Sequence, residues 1–383
     1  MNAAADAGGL PGSSGTDHAD LPAPLPSSRF WHGRRVLLTG HTGFKGSWAA
    51  LWLKELGADV TGFSLAPDTV PALFDMAGIE NLIPRQIGDL RDRASVAAAV
   101  AAADPQVVLH MAAQPIVRRA IAEPIETLAS NILGTAHLLD ALRRVQGLET
   151  VLVVTSDKVY ANTDEGRPFA EGDRLGGKDP YSASKAATEL VTQSFAATYF
   201  ADRGVRCVTA RGGNVVGGGD YAVDRIVPDI VRAAGRDEVP VLRMPKATRP
   251  WQHVLDCVCG YLLFLEAISV DRGNALPSAL NFGPVPGRDV DVATLAEAIL
   301  IALGRPSRWV YDPPAVNKEM KALAVESTLA RERLGWRDRL AGERLIAWTA
   351  DWYKAVHLGA DARAVTLRQI HDYHQYDNSG TLA

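Results

Sequence analysis

Three cysteines in 383 residues are too few to staple a disulfide-built domain. Cys207, Cys257 and Cys259 are odd in number, and the Cys257–Cys259 spacing lacks the second ligand pair a zinc site needs, so no metal is expected. Buried free thiols and a reducing cytoplasm follow. An excess of basic charge is also missing: 40 Lys and Arg stand against 44 Asp and Glu, a formal net charge of -4. A surface that neutralises many phosphates carries the opposite balance, so no nucleic-acid partner is expected, although a small anionic ligand needs only a local cluster of arginines. There is no run of about 18 apolar residues, so neither a membrane span nor a membrane partner is expected. Residues 1–30 hold Ala, Gly, Ser, Pro and Asp without a basic start and an apolar stretch. They read as a disordered leader, not a signal peptide.

What is present is a globular composition, 47% hydrophobic and 22% charged, on a chain long enough for a large core. Short apolar runs at 35–39, 58–63, 106–110, 150–155 and 205–210 alternate with helical patterns through 56, near 93–103, 125–144 and 182–200. Strands apolar throughout, alternating with helices, indicate a parallel sheet covered on both faces. The fold class is α/β, a Rossmann-type doubly wound parallel sheet with a smaller C-terminal substrate-binding region. After about residue 212 the alternation loosens into glycines, prolines and helices around 226–234, 253–269, 292–303 and 341–357. The expected division is 31–212, with returning segments near 250–285, for the sheet domain, 213–375 mostly for substrate, and 376–383 as a tail.

Between the first strand and first helix lies Gly40-His-Thr42-Gly43-Phe44-Lys45-Gly46. Glycines there let backbone approach a pyrophosphate, and the helix start offers it free N–H groups. The spacing is Gly-x-x-Gly-x-x-Gly, one residue off the general dinucleotide fingerprint. The acid expected at the end of the second strand is absent, which leaves Ser64 to face the adenosine ribose. No Arg or Lys stands there either; Lys45 alone is available to a 2′-phosphate, so NAD is favoured over NADP. Asp89 and Leu90, in Gly88-Asp-Leu-Arg-Asp92, either meet the adenine or form an ordinary capped turn.

Asp179-Pro-Tyr181-Ser-Ala-Ser-Lys185 puts Tyr181 and Lys185 on one helix face, one turn apart. An ammonium beside a phenol favours the phenolate, and the same lysine can hold ribose hydroxyls of a nicotinamide cofactor. The fifth strand ends in Thr155-Ser156-Asp157-Lys158, and the fourth in His110-Met111-Ala112-Ala113-Gln114. Catalytic groups in open parallel sheets collect beyond such strand ends. The small residues of the second segment let a cofactor pack close, Gln114 reaches towards substrate, and Asn131 in the following helix braces the active-site backbone.

Together these motifs resemble the extended short-chain dehydrogenase/reductase family, and within it the CDP-glucose 4,6-dehydratase subgroup. The likeness covers most of 31–375. Leu175-Gly-Gly-Lys-Asp-Pro-Tyr-Ser-Ala-Ser-Lys185, Arg211-Gly-Gly-Asn214-Val-Val-Gly-Gly-Gly-Asp220 and Ala247-Thr-Arg-Pro-Trp-Gln-His-Val254 carry it furthest. The resemblance implies a lyase that turns a CDP-hexose into its 4-keto-6-deoxy product on one bound NAD. Tyr181 would act as the base at C4, Asp157 as the acid and Lys158 as the base for elimination across C5 and C6. A lysine base is helped by desolvation or by a neighbouring cation such as Lys185. Asn214 and Arg249 match positions that bind the sugar diphosphate, with Arg225 and Arg243 as further anchors; Trp251 and His253 either pack near the base or fill the core. A homodimer or homotetramer through the helices near 125–144 and 182–200 is implied as well. The chain departs from the subgroup at Val159-Tyr-Ala-Asn162, usually Cys-Tyr-Glu-Asn, and in the loop Thr163–Arg174, which leaves other nucleotides and sugars open. Other readings are an NDP-sugar 4-epimerase, an oxidoreductase on the same fold, or a non-catalytic NAD-binding sensor; the last would not need Tyr181 and Lys185.

Overall fold

The computed structural model describes residues 23–162, 166–271, 273, 275–285, 290–313 and 323–376. The strands are β1 (Arg35–Thr39), β2 (Asp59–Ser64), β3 (Arg85–Ile87), β4 (Val107–His110), β5 (Thr150–Val154), β6 (Arg206–Gly212), β7 (Asn214–Val216), β8 (Val241–Leu242), β9 (Thr248–Arg249), β10 (Trp251–His253), β11 (Ala279–Phe282), β12 (Val290–Asp291) and β13 (Val310–Tyr311). Seven of them form one sheet in the order β11-β6-β5-β4-β1-β2-β3, every pair parallel. Strand order reverses on either side of β1, and in such a sheet the crevice beyond β1 and β4 is where ligands bind.

Both faces of the sheet are covered, which is why its strands carry no polar alternation. In β1, Val36 and Leu38 enter one core and Leu37 enters the other. Helices α1 (Phe44–Glu55) and α6 (Val254–Val270) pack in the first, with Trp48 and Trp52 of α1 fully buried there. Helices α2 (Arg93–Ala103), α3 (Gly134–Leu142) and α4 (Pro180–Phe195) line the other face, and α5 (Ile226–Gly235) lies in the C-terminal region. Helix α6 is apolar around most of its circumference because it is enclosed, as such a helix must be in water. Among the described residues no helix is long and apolar enough to cross a membrane. Beyond β6 the pairs β7–β10, β9–β12 and β8–β13 each form a two-stranded ribbon.

One expectation is refined and one needs correction. The helical pattern near 125–144 is helical from Pro124 to Leu142, but Pro124–Leu128 passes through a π turn, Ala129–Leu133, before α3. The leader expected to be disordered through residue 30 is packed from Ala23 onward, where the description begins. Ala23 is buried, Ser28–Trp31 makes a helical turn, and Ser27 N and Trp31 Nε1 donate to Glu266 Oε1 at 2.8 and 2.6 Å. Residues 1–22, and the tail beyond Tyr376, lie outside the described residues.

Candidate active site

The glycine loop closes on itself before it can close on anything else. Gly40 leaves β1 at φ +78°, and a Cβ there would stand 2.7 Å from Ala112 N, while one on Gly46 would stand 2.0 Å from Gly40 O. Gly43 differs, since an added Cβ would meet only Gly40 O, at 3.5 Å. It caps α1 with no side-chain acceptor and no acid in the first turn. The N–H groups that open a helix lack intrahelical partners, so this end suits an anion. Thr42 and Ser64 bond each other at 2.8 Å beside Leu65 O, placing two hydroxyls at the end of β2. Phe44 packs towards Gly217. Met111 N and Ala112 N both donate to Thr39 Oγ1 at 3.2 Å, which fixes the backbone after β4; Met111 and Ala113 are half-buried, and Leu90 is buried against Gly134.

Lys45 is turned towards α6 and α4. Its Nζ lies 5.8 Å from the centre of the Tyr261 ring, and its charge acts on Lys185. It therefore faces the catalytic end of the crevice. Asp89 makes the turn: its carboxylate accepts from Arg91 N and holds the Arg91 guanidinium at 2.5 Å, while Asp92 caps α2. Gln114, expected at the substrate, is spent inside the protein, donating to Thr127 Oγ1 at 2.8 Å and accepting from Ile116 N at 2.6 Å. Asn131 is the brace expected of it. It accepts from Gln114 N and donates to Gln114 O and Ser184 Oγ, while its backbone oxygen receives the Thr135 and Thr188 hydroxyls. One asparagine thus ties the loop after β4 to α4.

On α4 the stripe Tyr181, Lys185 and Glu189 recurs every four residues, one face of a helix. Glu189 is its buried anchor, accepting from Thr155 Oγ1 (2.5 Å), Arg211 Nε (3.0 Å), Thr209 Oγ1 (2.8 Å) and Arg211 Nη2 (2.8 Å). Lys185 Nζ donates to Val154 O at 3.2 Å. Burial, with Lys45 second, drops its pKa to about 7. The expected arrangement, in which the Lys185 ammonium pulls the Tyr181 pKa down, is therefore corrected. Burial pushes the Tyr181 phenol above its ordinary value, and the charge of Lys158 and the neighbouring Ser156 hydroxyl work against that rise.

Asp157 is buried beside this phenol. Its Oδ1 accepts from Ser156 Oγ at 2.9 Å and faces Lys158 Nζ at 3.5 Å. Its Oδ2 has no hydrogen-bond partner among the described residues, and the absent side chain of Gly213 leaves room before it, for a Cβ there would be 3.3 Å away. A buried carboxylate oxygen left open costs free energy, which makes it a functional candidate. Asn214 Nδ2, one residue on from Gly213, is likewise buried with no hydrogen-bond partner among the described residues.

The remaining substrate candidates separate. Arg225 precedes α5, bonds Asp220 Oδ2 at 3.1 Å and lies near enough for its charge to act on Tyr181. Arg243 bonds Asp224 Oδ1 at 2.9 Å. Arg249, in β9, donates to Thr248 O at 2.8 Å. Trp251 Nε1 donates to Val290 O at 3.0 Å, and His253 fills the core edge-on to Trp48 and Trp348. The sequence reading missed Glu189, whose i+4 spacing from Lys185 was the available signal. It also missed Tyr261, whose hydroxyl would be 2.5 Å from a Cβ on Gly212, and Arg118, which bonds Asp224.

Comparison with known proteins follows the same outline. The model of the NAD dependent epimerase/dehydratase family matches residues 36–276. The chain is 38% identical to a CDP-glucose 4,6-dehydratase of Salmonella typhimurium strain LT2 over 90% of this chain and 97% of that one. It is 30% identical to a dTDP-glucose 4,6-dehydratase of Actinoplanes sp. strain SE50/110 over 84% of this chain and 98% of that one. A solved UDP-glucose 4-epimerase of Thermus thermophilus in complex with NAD superposes with TM-score 0.72 at 25% identity, covering 84% of this chain and 99% of that one.

Proposed function

Because the chain belongs to the NAD dependent epimerase/dehydratase family, we propose that it is a nucleotide-sugar 4,6-dehydratase acting on CDP-glucose. Its cofactor is NAD. The residues suit that group: Gly40 and Gly46 leave no space for a side chain, Gly43 leaves the uncapped helix start open, and no carboxylate crowds the anion. Bound there, NAD would supply a hydride acceptor for the oxidation at C4 and, once reduced, a hydride donor for C6.

The observation that carries the reading is the buried Asp157 with its open Oδ2, next to Lys158 and Tyr181. Moving a hydride at C4 alone requires one base. Elimination across C5 and C6 requires a base and an acid besides, and Asp157 and Lys158 supply that pair. In this reading Tyr181 Oη accepts the C4 hydroxyl proton, with the Ser156 hydroxyl beside the phenolate. The resulting ketone acidifies C5–H; with the proton of the Asp157–Lys158 pair carried on Asp157, the neutral Lys158 amine takes the C5 proton, and Asp157 Oδ2 protonates the departing C6 hydroxyl, which leaves as water. Lys158 then returns its proton to C5, and reduction at C6 completes the 4-keto-6-deoxy sugar. Lys185 holds the cofactor ribose, Asn214 and Arg249 hold the diphosphate, and Arg225 and Arg243 add positive charge. A 4-epimerase, the second reading, leaves Asp157 and Lys158 without a task.

A cytoplasmic site agrees with three free, buried cysteines. A homodimer is supported by apolar side chains exposed on the helices expected to pair, Ile125, Leu133, Leu190 and Tyr199. The reading is tested by incubating the NAD-loaded protein with CDP-glucose and following the near-ultraviolet absorbance that a 4-keto-6-deoxy sugar develops in base. Tyr181→Phe should abolish product while sparing NAD binding. No keto product from any nucleoside diphosphate glucose would sink the assignment.

A further inference from the structure

One carboxylate oxygen holds two arginines that come from different parts of the fold. Asp224 Oδ1 accepts from Arg118 Nη1 at 2.8 Å and from Arg243 Nη1 at 2.9 Å. Arg118 lies on the short helix Val117–Ala122 that follows β4; Arg243 follows β8 in the C-terminal region. Arg118 stands just beyond the carboxyl end of β4, the side of such a sheet on which ligands bind, and the residue after Asp224, Arg225, acts by its charge on Tyr181. Asn214 Nδ2, buried and without a partner among the described residues, is a further donor left open in the same C-terminal region.

Exposure separates these arginines from the structural one. Arg118, Arg243 and Asp224 keep 49, 32 and 32% of their side chains in solvent, whereas Arg211 and Glu189 keep 2 and 0%. Water and salt weaken the first kind of pair and barely touch the second. A ligand bearing several negative charges can therefore take Arg118 and Arg243 from Asp224, but not Arg211 from Glu189. Each guanidinium presents parallel N–H donors that match phosphate oxygens as well as they match a carboxylate.

We propose that Asp224 is a stand-in for phosphate, an internal anion that keeps Arg118 and Arg243 facing each other until the diphosphate of the substrate replaces it. Arg118 then becomes a substrate-binding residue, and the loop carrying Asp224 is released when the diphosphate binds. This inference rests on the nucleotide-sugar reading for the identity of its ligand, and its test keeps the two apart. Asp224 has φ +62°, a left-handed conformation that Asn also tolerates, so Asp224→Asn removes charge and keeps the backbone.

The test is isothermal titration of the full-length, NAD-loaded protein with CDP, with cytidine and with inorganic pyrophosphate. Asp224→Asn should bind CDP and pyrophosphate several-fold more tightly, and Arg118→Gln about tenfold more weakly, with cytidine unchanged in both. The gain should vanish in the double variant. Unchanged CDP and pyrophosphate affinities in natively folded single variants would overturn the inference and leave the nucleotide-sugar reading standing. If pyrophosphate responds as described while no nucleoside diphosphate binds, the anion exchange holds and the substrate assignment fails. Absence of pyrophosphate binding to both the unaltered protein and Asp224→Asn also overturns it.

Discussion

Removing the Glu189 carboxylate should be among the most damaging single changes away from substrate. Four donors converge on it from Thr155, Thr209 and Arg211, and both it and Arg211 are shut off from solvent. In Glu189→Ala, the hydrogen bonds left to Arg211 among the described residues go to the Tyr160 hydroxyl and the Glu171 backbone oxygen, both uncharged. Breaking a buried pair from one side costs about 3–5 kcal/mol, mostly because the surviving charge is stranded. At roughly 1.2 °C per kcal/mol for a chain of this size, the unfolding midpoint should fall by about 4–6 °C. Differential scanning calorimetry of the purified variant measures this directly. Glu189→Gln should recover little, because an amide has one accepting oxygen where four donors meet. Glu189→Leu combined with Arg211→Met should regain most of the loss, since no charge is then stranded. A midpoint within about 1 °C of the unaltered protein for Glu189→Ala would refute the argument that this pair fastens α4 to the sheet.

Gly46→Ala places a methyl group 2.0 Å from Gly40 O, so the loop must open. NAD affinity should drop at least about tenfold in a titration, in line with the usual cost of overpacking, and an unchanged affinity would mean the loop is more pliant than its contacts imply. Asp256 gives a pH prediction. Burial raises its carboxyl from 3.8 to about 7, against the pull of Arg339 N, Tyr373 Oη and Leu340 N. The fold prefers the protonated form, so the stabilisation is complete below about pH 3.8 and is lost as pH rises through about 7. Asp256→Asn, neutral throughout, should hold its melting temperature better than the unaltered protein across that window; parallel pH profiles would contradict the assignment.

The sheet was legible because strands buried on both faces leave continuous apolar runs, as Val36-Leu-Leu38 does. The catalytic stripe was legible too, since Tyr181 and Lys185 report a helix face by spacing alone. The π turn at Ala129–Leu133 was not, because bonds to Gln114, Ser184 and Thr188 from distant segments accompany it, not a local breaker. The direction of the Lys45 side chain was not legible for a related reason. The sequence places its backbone in the phosphate loop, but only the packing against Tyr261 on α6 decides where its amine goes. The pairing of Arg118 with Asp224 spans 106 residues, and no local pattern announces a contact of that range.

The segment from Val159 to Arg174, where the sequence differs from the pattern it resembles, is also fastened at a distance. Tyr160 stacks on Phe169 at 4.9 Å and donates its hydroxyl to Asn281 of β11. Asn281 in turn donates to Phe169 O and Glu326 O, and Phe169 bridges to Val325. Swapping this loop for that of a relative with another sugar preference would thus be a graft with three roots. A chimera that transplants 159–174 alone inherits the wrong edge strand, whereas one that carries positions 281 and 325–326 with it keeps the donor loop's own buttress.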